Sequence, residues 1–157
     1  MSHRVSASIT IGGEIDAATY AELLDLIAAE HLSVDWDGAP FEPHEHEVDE
    51  PLRLCADKVS GGQFEDIEDF CVERGIAFRR WCGAYSGSWD AERVVFTGSG
   101  GLQAYGATED NDVVIGRQTA CELGSFEAIL DHFATADFQV PPLVILAAPD
   151  SALSEAG

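Results

Sequence analysis

Along residues 5–11 (VSASITI) apolar and polar positions alternate, which predicts a strand with Val5, Ala7, Ile9 and Ile11 on one face. The period then changes. Tyr20, Leu23, Leu24, Ile27 and Ala28 recur at helical spacing behind Asp16, whose carboxylate is placed to cap a helix. Residues 32–36 (LSVDW) read as a second strand, and 52–57 (LRLCAD) as a third after a connection from Asp37 to Glu50. Gly61-Gly62 interrupts the chain before a helix at 63–74, which turns Phe64, Ile67, Phe70 and Cys71 inward. Gly75 stands at its expected C-terminal cap, and residues 76–82 (IAFRRWC) follow as a strand.

This order, β-α-β-β-α-β, predicts an α+β protein with a ferredoxin-like core. An added C-terminal β-hairpin is expected from strands at 92–97 and 102–107, joined by Gly98-Ser99-Gly100-Gly101. A helix from Ser125 through Phe133 follows, with Phe126, Ile129, Leu130 and Phe133 apolar. Smaller expectations are a strand at 112–116, a capping box at Thr119-x-x-Glu122 and an edge strand at 143–147. No repeat or linker divides the 157 residues, so 1–149 are expected as one domain and 150–157 as a flexible tail.

Charge changes the picture more than composition does. A hydrophobic share of 46% suits an ordinary core, but 29 Asp and Glu stand against 8 Lys and Arg, a formal net charge of −21. Such a surface disfavours direct binding to nucleic-acid phosphates or to an anionic membrane. Residues 1–73 hold 18 acids and 3 bases, and 74–157 hold 11 and 5, so the excess lies in the first half. Asp35 to Glu50 contains seven acids and no base. On the 63–74 helix, Glu65, Asp69 and Glu73 are four residues apart and so share one face.

Four helical residues rise about 6 Å, close to the separation of successive phosphates on one nucleic-acid strand. A row of carboxylates could therefore occupy a groove built for a phosphate backbone. The expected partner is a basic nucleic-acid-binding protein, drawn in by long-range attraction. The expected contact set is Asp35, Asp37, Glu45, Glu47, Asp49, Glu65, Asp69 and Glu73, with Trp81 and Trp89 as apolar anchors. In composition the chain resembles small acidic proteins that act against restriction or CRISPR machinery. The resemblance implies a non-enzymatic inhibitor that presents carboxylates where phosphates normally sit. A merely solvated acidic surface, without mimicry, is the competing reading. Salt adaptation is a further one, against which the retained large apolar residues argue.

Other patterns carry less. His44 and His46, in an extended segment, would face one side and suit a metal or small-molecule site, with His31 and Cys55 as possible partners. Cys55, Cys71, Cys82 and Cys121 form no C-x-x-C pair and read as free thiols. Arg79-Arg80-Trp81 through Trp89 mixes cations and aromatics, with Arg74, Arg79 and Arg80 expected to pair with carboxylates of the same chain. The glycines at 98–101 read as a tight turn, and Glu109, Asp110 and Asp112 as a turn of solvated acids. Nucleophile–base pairs such as Cys82 with His132 are not supported by sequence spacing. No hydrolase, metalloprotease or nucleotide-binding motif is present, so neither catalysis nor a cofactor is expected. The N-terminus lacks a signal-peptide pattern and the apolar run Val140 to Pro149 is too short to span a bilayer, which predicts a cytoplasmic location.

Overall fold

The alternating run at the N-terminus extends into β1 (Arg4–Asp16). The computed structural model describes residues 4–36, 38–85 and 87–146. Asp16 ends the strand and caps α1 (Ala17–Ala29), its carboxylate accepting from the Thr19 N–H at 2.7 Å. That bond holds the Asp16 pKa below the ordinary carboxylate value. The elements β2 (Leu52–Ser60), α2 (Glu65–Arg74), β3 (Ala77–Cys82), β4 (Glu92–Phe96) and β5 (Gln103–Gly106) come next. After them come α3 (Arg117–Leu123), α4 (Phe126–Ala136) and β6 (Leu143–Leu146).

The sheet runs β2-β1-β3-β4-β5 with every neighbouring pair antiparallel, and β6 lies parallel to Gly13–Asp16 of β1. The ferredoxin-like expectation is overturned: this is a mostly antiparallel six-stranded sheet with four helices. A strand at 32–36 was essential to that expectation. Instead Leu32 is buried and its N–H donates to Ile27, closing the end of α1, and Ser33 makes one isolated bridge to Cys55. The Gly38 N–H then donates to the Asp35 carbonyl at 3.0 Å, which ends any extension. A helix between two halves of a split β-α-β unit should join parallel strands. Around α2 this holds, since β2 and β3 both run antiparallel to β1 between them. Around α1 it fails, because β1 and β2 are antiparallel neighbours.

Smaller expectations divide in the same local way. Ser125 caps α4 and Gly75 takes the left-handed conformation after α2. Residues 112–116 make only a bridge between Ala107 and Val113. Gly116 precedes α3, which places Thr119 inside the first turn and not at a cap. Position 147 and the expected tail at 150–157 lie outside the described residues.

Strand register sorts the side chains into two layers. Ile9 pairs with Leu54 and Arg80, and Ile11 with Leu52 and Phe78, so these residues share a face. That face is covered by α1 and α2 through Leu23, Ile27, Phe64 and Ile67, all fully buried. The alternate residues Cys55, Arg79, Trp81, Arg93 and Tyr105 point the other way. There Arg79 donates to the Phe138 carbonyl, Arg93 to the Ala136 carbonyl and to Asp137, and the Tyr105 hydroxyl to Thr135. These bonds dock the C-terminal end of α4. No helix among the described residues is long and apolar enough to cross a membrane.

Candidate functional site

The row foreseen on α2 exists. Glu65, Asp69 and Glu73 are exposed on successive turns and make no ion pair among the described residues. The sequence folds this way because the helix alternates them with Ile67, Phe70 and Cys71, which are buried against the sheet. Glu65, Asp66 and Glu68 also occupy the first turn, where the positive end of the helix dipole favours carboxylates.

An ion triad beneath the helix anchors it. Glu68 of α2 reaches inward, accepts from the Phe64 N–H at 2.8 Å and meets Arg80 Nε at 3.0 Å. Arg80 Nη1 meets Glu92 of β4 at 3.1 Å. Burial opposes the Arg80 charge, but Glu68 first, then Cys82 and Glu92, together outweigh it and leave its pKa raised. At the exposed rim, Arg74 pairs with Glu22 of α1 at 2.9 Å. Two of the three arginines thus find carboxylates, whereas Arg79 bonds a backbone carbonyl.

Negative charge gathers at the N-terminal end of α2. Glu30, which follows α1, has its pKa raised first by burial and then by Asp66, with Glu65 and Glu68 adding to it and His31 opposing. Between α2 and the β4–β5 hairpin runs a groove of about 290 Å³ bordered by Glu65 and Asp69 on one side and by Val94 and Leu102 on the other.

The described part of the 35–50 connection does not join this surface. Trp36 packs edge-on against Trp81 with ring centroids 6.4 Å apart, and Trp81 belongs to the face opposite α2. The stretch carrying Asp35 therefore turns onto that opposite face. Glu45 and Glu47 lie beside Pro51 and Arg53 at the β2 side of the sheet, the far edge from the hairpin that α2 borders. Glu45 is also occupied locally, accepting from the Glu42 N–H at 2.8 Å. Asp49 is exposed with a left-handed backbone, and Asp37 lies outside the described residues.

Neither nominated tryptophan stands free. Trp81 is 7% exposed and donates its indole N–H to the Thr108 carbonyl. Trp89 is half-buried, donates to the Gly83 carbonyl and packs on Tyr85 at 5.3 Å. The exposed tryptophan is Trp36, 46% accessible, which the sequence pattern places in a strand. Leu102 is 52% exposed beside the acidic row, which the hairpin pattern does not reveal because it implies only inclusion in a strand.

The histidine pair is not assembled. Pro43–Glu45 forms a single 3-10 turn, so His44 and His46 do not share an extended face, and His46 Nε2 donates to the Glu50 carbonyl. Among the described residues no group of three or more His, Cys, Asp or Glu is arranged to hold a metal ion. Cys82 faces α2 while His132 sits on α4 across the sheet. Burial pushes the Cys55 thiol up to about 11 and the Cys71 thiol to about 12, so neither is a thiolate at neutral pH. The Glu109 carboxylate accepts from Ala84 N–H, and Thr108 accepts from Asp110 and Asp112, which makes that acidic run a pinned turn. No protein-family model, curated protein or solved structure matches this chain.

Proposed function

We propose that the protein is a non-enzymatic acidic inhibitor that occupies the nucleic-acid-binding surface of a basic partner, with the α2 carboxylates standing in for phosphates. The observation that carries this reading is the exposed row Glu65, Asp69 and Glu73, without an ion pair among the described residues, on a helix anchored from below by Glu68 and Arg80. One-turn spacing of about 6 Å matches the reach between adjacent phosphate sites. The anchor matters because it fixes the helix that carries the row, so binding need not order that backbone. The contact surface is narrower than sequence suggests, since Asp35 stands on the opposite face and Glu45 and Glu47 at the far sheet edge.

Immobilised protein incubated with host lysate should retain basic nucleic-acid-binding proteins that elute as salt is raised, and free protein should displace them from DNA. Reversing Glu65, Asp69 and Glu73 together to Lys should lower retention by at least about tenfold. Retention unchanged by that triple reversal overturns the reading and leaves the row as a solvated helix face.

A further inference from the structure

The groove beside α2 has two chemically different sides. Glu65 and Asp69 form an acidic wall, and Leu102 with Val94 forms an apolar strip on the hairpin. Leu102 is 52% exposed, although it adjoins buried Val94. At the base Arg80 is already matched by Glu68 and Glu92, so it offers no net attraction for an anion. Four carboxylates and one guanidinium line the groove, which leaves it negative as a whole.

A phosphate backbone replica needs only the acidic wall. A partner that also covered Leu102 would remove apolar surface from water and keep its cations on Glu65 and Asp69. We propose that the groove takes an extended arginine- or lysine-rich segment of the partner that also carries apolar side chains. Its cations would lie along α2 and an apolar side chain on Leu102. The inference rests on reading α2 as the partner surface and adds to it the kind of segment that binds. Charge complementarity selects the cationic character, and the exposed leucine selects the apolar one.

Two labelled synthetic peptides separate the contributions by fluorescence anisotropy at low salt. One is hexa-arginine; the other has its two central arginines replaced by leucine. Attraction to a diffuse negative surface alone must favour hexa-arginine, which carries two more charges. The groove should reverse that order, with the leucine peptide binding at least about twofold tighter, burial of leucine outweighing the two lost charges. Leu102→Ser should restore the preference for hexa-arginine, and Glu65→Gln with Asp69→Asn should weaken both peptides. Leu102 stands exposed at the hairpin, so its replacement leaves the core intact. A wild-type preference for hexa-arginine overturns the groove while leaving the acidic reading standing. Failure of both peptides to bind overturns the two together.

Discussion

Arg80 sits on β3 with 2% of its surface exposed, between Glu68 from α2 and Glu92 from β4. Its pairing with carboxylates of the same chain is the expectation from sequence, but the depth of its burial is not. Strand alternation turned it inward, and no apolar neighbour could have held it there without carboxylates. Arg80→Met removes the cation and leaves Glu68 buried without its partner. We expect a loss of about 3–5 kcal/mol in chemical denaturation, the usual consequence of breaking a buried pair. Adding Glu68→Gln to that variant should recover part of the loss, because the orphaned charge is then gone. A double variant no more stable than Arg80→Met would show that the destabilisation comes from packing alone.

At the scale of elements, β1 does two jobs. Its first half is the antiparallel neighbour of both β2 and β3, and its last residues run parallel to β6. Gly12 lies at the changeover, where the returning chain passes so close that a Cβ would stand 1.7 Å from the Pro141 carbonyl oxygen. The Pro141 carbonyl carbon and Val140 Cγ1, each 2.8 Å away, crowd the same spot, so the shift of a side chain alone does not relieve the clash. Gly12→Ala should therefore destabilise by about 3 kcal/mol, at the upper end for overpacking, read from the shift in denaturation midpoint. A midpoint unchanged from wild type would mean that the 140–142 crossing relaxes freely. Gly13, where added bulk meets nothing, provides contrast through its positive φ alone.

Over the whole molecule the −21 charge is unevenly distributed. Glu30 reports it, since burial and then the nearby Asp66, Glu65 and Glu68 raise its pKa above the ordinary 4.5. The folded protein thus holds that proton more readily than the unfolded chain. Its contribution to stability is best below about 4.5 and declines as pH rises through the raised folded value. Denaturation midpoints between pH 4 and 7 should fall less in Glu30→Gln than in wild type. Added salt should narrow the difference, because ions screen the like-charge part and not burial. Parallel pH profiles would remove Glu30 from this account.

Local signals were legible wherever a residue acts on its immediate neighbours. Asp16, Gly75 and Ser125 mark helix ends through bonds or backbone conformations that span only a few positions. The inward residues of α2 and its outward acidic row follow from helical periodicity. Residues 32–36 were not legible, because Leu32 fills the end of α1 as readily as it would fill a strand. Pairing partners and strand direction depend on contacts between residues far apart in the chain. The sequence by itself determined that Glu65, Asp69 and Glu73 share a helix face, since 3.6 residues per turn requires it. Only the tertiary structure decided that Asp35 stands across the sheet from them and that Leu102 stands beside them. Neighbourhood across a sheet is set by strand order, and five of these strands acquire that order through pairing that no local period encodes.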